Sequence, residues 1–96
     1  MTERTSTPPL RRLRLPAELT CRTTAEQRDR LLAPLSEGCD IEVDLATVQC
    51  IDAVGLQLLL TCRLHALATG RRMRTTGQSA AVRELVQRLG GADYFG

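Results

Sequence analysis

Cys39, Ile41, Val43 and Leu45 alternate with Asp40, Glu42 and Asp44, and the run from Ala53 to Ala68 then changes period. Alternation is the pattern of a strand with one buried face, whereas leucines at 56, 59, 60, 64 and 67, with Val54 and Leu58 beside them, follow helical spacing. A strand joined through the short connection Ala46–Ile51 to a helix with so broad an apolar stripe constrains the fold strongly. Such a helix has to lie on a sheet, with residues 39–45 as a central strand. Gly70 falls just beyond the helix, where a left-handed residue ends a helix readily.

The flanking segments repeat the alternation. In RRLRLP, Leu13 and Leu15 point to one side and Arg12 and Arg14 to the other, until Pro16 interrupts a first strand; Glu18–Cys21 adds a possible second. Thr23 or Thr24 can cap a helix, with Glu26 or Gln27 completing a capping box. Ala25, Leu31, Leu32 and Leu35 form its apolar face and Arg28, Asp29 and Arg30 its solvated side. Pro34 should loosen its last turn, and the helix should stop at Glu37-Gly38. Arg71–Thr76 reads as a further strand, with Met73 and Thr75 inward and Arg72 and Arg74 outward. Gly77 turns the chain, and Ser79 caps a last helix carrying Val82, Leu85, Val86 and Leu89, which ends at Gly90-Gly91. The expectation is an α/β fold: a single domain over 10–96 with a four-stranded mixed sheet and helices packed against it. Polar residues 1–9, closing on two prolines, read as a flexible leader. Tyr94 and Phe95 read as a docked tail.

Composition removes several functional classes. The chain has 96 residues, one Tyr, one Phe and no Trp, so it lacks the stacking platforms of single-strand nucleic-acid binders. A net charge of +2 gives no strong field toward nucleic acid or an anionic membrane. All 13 basic residues are arginine, which leaves no lysine as nucleophile or Schiff base. Cys21, Cys39, Cys50 and Cys62 include no close pair of the kind zinc favours, and no cofactor motif is evident. Residues 1–9 lack the apolar stretch of a secretory leader, and no run is long enough to span a bilayer. A cytoplasmic chain with free thiols is the expectation.

The segment IEVDLATVQCIDAVGLQLLL, Ile41–Leu60, stands out for function. Asp52 sits immediately before the second helix, and by itself reads as an N-cap that satisfies an exposed backbone N–H. The stretch also resembles the signature of the STAS family, the domain of anti-sigma-factor antagonists, in which a "DLSGV" strand leads through a loop to "DSSGL" or "DTAGL" and a leucine run. Asp44-Leu45, Val48, Ile51-Asp52, Gly55-Leu56 and Leu58–Leu60 carry the likeness. Ala17-Glu18-Leu19 is similar to the family's "GEL", and Ser79–Arg83 to its "SPAVR". Together these span roughly residues 10–95.

The resemblance implies a non-enzymatic, protein-binding regulatory module. In phosphoregulated members the Ser or Thr after the Asp is phosphorylated by a kinase anti-sigma factor. Here Ala53 holds that place and Val54 follows, and neither has an oxygen nucleophile to accept a phosphoryl group. Thr20 also departs from the Asp that many regulated members carry after "GEL". The expected partner-contacting residues are Asp52, Ala53, Val54, Gly55 and Gln57, with Thr20 and Cys21 from the neighbouring loop. The expected partner is a protein: an anti-sigma factor or kinase, the ATPase of a phospholipid-transport ABC complex, or a chemotaxis component. A small nucleotide-binding protein or hydrolase is the alternative from another class, since a helix N-terminus attracts phosphate; against it, no phosphate-binding glycine loop is present and Asp52 would repel the anion. His65 reads as a boundary histidine and Arg71, Arg72 and Arg74 as a solvated strand face.

Overall fold

A computed structural model describes residues 8–89. The leader over 1–7, the Gly90-Gly91 helix end and the Tyr94–Phe95 tail lie outside them. The elements run β1 (Leu10–Arg14), β2 (Glu18–Leu19), α1 (Thr24–Ser36), β3 (Asp40–Asp44), β4 (Cys50–Ile51), α2 (Ala53–Ala68), β5 (Met73–Thr76) and α3 (Ala80–Arg88).

Among the described residues five short strands form two sheets, not the single four-stranded mixed sheet expected: a three-stranded sheet in the order β1-β3-β5 and a two-stranded sheet of β2 and β4. Every pairing is parallel. The break has a local cause. Pro16 has no N–H to donate, and the opposing chain turns at Ala46 and Thr47, so the ladder that starts at Leu10↔Asp40 stops after Arg14↔Asp44. Pairing resumes at Glu18↔Cys50 once Ala17 O has accepted from Gln49 N and Cys50 N at 2.7 and 3.0 Å.

β3 is central, and the alternation places Ile41 and Val43 in the core with Cys39 and Leu45 buried at its ends. All three helices contribute to the core: Leu31 and Leu35 from α1, Leu56, Leu59 and Cys62 from α2, and Val82 and Val86 from α3 share one cluster with the strand residues. The opposite face has no helix among the described residues. It carries Arg12 and Arg14 beside Glu42 and Asp44, joined at 2.8 and 3.3 Å, with Thr76 at the edge. Parallel sheets are normally covered on both faces; charged outward side chains let this one stand open.

Three expectations are revised. Thr23 is the residue before α1, but its hydroxyl donates to Glu18 O at 3.1 Å and makes no cap, so the capping box does not form. Ala25 is exposed and Gln27 is buried, which shifts the buried stripe of α1 toward Gln27, Leu31, Pro34 and Leu35. Pro34 does not unwind the last turn. Its ring is buried, α1 continues to Ser36, and the Pro34 carbonyl accepts from Cys39 N at 2.9 Å. Ser79 caps α3 as expected, accepting from Val82 N.

Candidate functional site

The entry to α2 is assembled from two loops. Asp52 leaves β4 with extended backbone and projects its carboxylate across the first turn of α2, where Oδ1 accepts from Gly55 N at 2.8 Å. Oδ2 accepts from Cys21 N at 3.0 Å, in the loop between β2 and α1. One side chain therefore caps a helix and ties it to a segment remote in sequence. The Cys21 N–H, then the Gly55 N–H, hold the Asp52 carboxyl below the usual carboxylate range against the opposing effect of burial.

The loop that supplies Cys21 is held from within. Thr20 Oγ1 donates to Glu18 Oε2 at 2.6 Å, Thr20 N donates to Thr23 Oγ1 at 3.1 Å, and Thr20 O accepts from Thr23 N and Thr24 N. Thr20 is only 9% exposed. Gly55 is buried for a different reason. A Cβ there would overlap the Leu19 carbonyl oxygen and lie 2.9 Å from its carbon, so the absence of a side chain lets β2 pass directly beneath the first turn of α2.

The expected contact residues thus separate into two groups. Cys21, Ala53, Val54 and Gln57 are exposed and Asp52 is half-buried, so these five are brought together on one surface. Thr20 and Gly55, also expected at the contact, are buried beside this surface. Both oxygens of Asp52 are engaged by backbone N–H groups.

Sequence reasoning missed the far side of the surface. Val54, Gln57, Leu58 and Thr61 of α2 face Thr24, Ala25 and Arg28 of α1 across an open groove of about 290 Å³. Ala25 and Arg28 stand three apart on α1, a spacing that places them on one face, but a short Ala reads as core in a leucine-rich helix and hides the signal. A larger hollow of about 520 Å³ lies on the open sheet face, lined by the paired charges Arg12, Arg14, Glu42 and Asp44 with Thr76.

Other chemistry finds little support. Among the described residues no three His, Cys, Asp or Glu side chains are grouped as metal ligands. The cysteines are free thiols, with Cys21 and Cys50 exposed and Cys39 and Cys62 buried. Burial pushes the Cys62 thiol up to about 11, so it is protonated at neutral pH. No helix among the described residues is long and apolar enough to cross a membrane.

No curated protein matches the chain at significant similarity. The family described as "Mlab, STAS domain" matches residues 4–93, a span that contains every strand and helix among the described residues and both loops at the α2 entry. STAS domains are generally regulatory, protein-interacting modules without enzymatic activity. The Asp52-capped helix entered from a short parallel strand lies within that match, and the chain belongs to the STAS domain family.

Proposed function

We propose that this STAS domain is a constitutive docking module that resembles an anti-sigma-factor antagonist and grips a protein partner through the α2 entry and the adjoining α1–α2 groove. Cys21, Ala53, Val54 and Gln57 supply the contact, and Asp52, Thr20 and Gly55 hold its shape. The observation that carries this reading is Ala53, exposed at the first position of α2 where the resemblance calls for a hydroxyl. A methyl group accepts no phosphate, so docking is not switched at that position. Incubation with ATP and a candidate anti-sigma kinase should leave the intact mass unchanged, and phosphate localised to the α2 entry by fragmentation would overturn the reading.

The patch has its own test. Titration calorimetry of the co-purified partner against Ala53→Glu should give affinity about tenfold weaker than wild type, because the new carboxylate is buried unpaired at the contact. The unfolding midpoint should not move, since Ala53 is exposed. Unchanged affinity places docking elsewhere.

The same methyl group favours a second reading, a STAS subunit or adaptor of a phospholipid-transport ABC complex or a chemotaxis assembly, where attachment needs no phosphate switch. Co-purification of a transporter ATPase or a chemotaxis kinase in place of a sigma-regulating kinase selects it. Nucleotide binding at the α2 N-terminus is disfavoured, because the Gly55 N–H already bonds to Asp52 and the carboxylate repels phosphate.

A further inference from the structure

The α1–α2 groove has a definite chemistry. Its apolar lining is Ala25, Val54 and Leu58, with Val54 44% exposed. Thr24, Gln57 and Thr61 add neutral polar groups to the lining. The single charged residue lining it is Arg28, which has no carboxylate partner among the described residues. Nearby acids do not compensate. Glu26 and Asp29 each follow a groove residue by one position on α1 and so turn about 100° away from it, Glu18 lies 3.8 Å from Arg22, and both oxygens of Asp52 are engaged by backbone N–H groups.

The backbone decides what form of chain fits. All seven lining residues belong to helices, so the groove offers no strand edge. An extended segment would find no strand edge to pair with, whereas a helix satisfies its own backbone and needs only side-chain contact.

On the docking reading above, we infer that the partner presents an amphipathic helix whose apolar ridge enters this groove and whose carboxylate pairs with Arg28. The pair forms at a rim that becomes partly desolvated on docking, so it adds discrimination more than total affinity.

Synthetic alanine–leucine peptides of about 16 residues, long enough to populate a helix, serve as probes. Three versions carry Glu, Gln or Lys beside the apolar stripe. Titrated at low salt into the labelled protein, the Glu peptide should bind saturably and shift the amide signals of Ala25, Val54 and Leu58. The Gln peptide should bind about fivefold more weakly. Arg28→Glu should invert the preference toward the Lys peptide, and Arg28→Gln should abolish it. Equal binding of all three peptides, no saturable binding of the Glu peptide, or shifts confined to the open sheet face would overturn the inference. If Ala53→Glu weakens Glu-peptide binding while Arg28→Gln leaves it intact, the docking surface stands and the charge pairing falls; if neither variant has an effect, both fall.

Discussion

Gly55→Ala should destabilise the domain by about 3 kcal/mol, reversing the usual sign of such a change. Within a helix, alanine ordinarily stabilises relative to glycine by about 0.5–1 kcal/mol. Here the added methyl meets the Leu19 carbonyl, which is backbone. That carbonyl cannot rotate aside as a side-chain tip would, because β2 pairs with β4 and the Leu19 side chain is fully buried. Overpacking typically costs about 1–3 kcal/mol, and a collision with fixed backbone belongs at the upper end. For a domain of this size the loss corresponds to a fall of roughly 10–20 °C in Tm. Thermal and urea unfolding measure it, with exposed Gln57→Ala as a control expected within about 0.5 kcal/mol of wild type. An unchanged or raised midpoint for Gly55→Ala would show that β2 moves away from α2 at little cost.

Asp52 gives the second large effect, and its two oxygens can be separated experimentally. Asp52→Ala removes the cap on Gly55 N and the tie to Cys21 N together, for a loss of about 2–3 kcal/mol. Asp52→Asn keeps one acceptor oxygen for Gly55 N but turns an amide NH2 toward the Cys21 N–H, donor against donor, and should lose about 1 kcal/mol. The pH dependence follows from the direction of the shift. Because the folded-state carboxyl titrates below its unfolded value, its contribution is fully present above the ordinary aspartate value of 3.8 and is lost as pH falls through the folded value. The stability gap between wild type and Asp52→Asn should therefore be constant near neutrality and narrow only below about pH 4. A gap that persists undiminished in acid would assign the effect to packing.

The order of helices and longer strands was legible because their periods are unambiguous. Ile41 and Val43 alternate with charged residues, and Ala53–Ala68 fills two faces of a helix. β4 was not legible, since two residues within a short connection show no period. The leucine stripe of α2 was overread for a related reason: Leu56, Leu58 and Leu59 pack inward, but Leu64 and Leu67 are 67% and 66% exposed, because a stripe that wide cannot all turn to one sheet. At the site, Asp52 announced itself as a cap by standing before a helix, while its bond to Cys21 depends on a contact across 31 residues that no local pattern encodes. Gly55 read as an open spot on a surface, when its conformation is ordinary helix and its necessity lies in what runs beneath it.

All-parallel pairing also shapes how this chain reaches its native state. Leu10 lies opposite Asp40, Glu18 opposite Cys50 and Ile41 opposite Met73, so no strand meets its neighbour until roughly thirty intervening residues have been traversed. With no hairpin among the described residues as a nucleus, loop closure precedes their ladder hydrogen bonds, and collapse should run in the slower range of small α/β domains rather than on the microsecond scale of helical bundles. During synthesis, β3 keeps one edge bare until Met73–Thr76 emerges, and a ribosome stalled before that strand holds an adhesive intermediate.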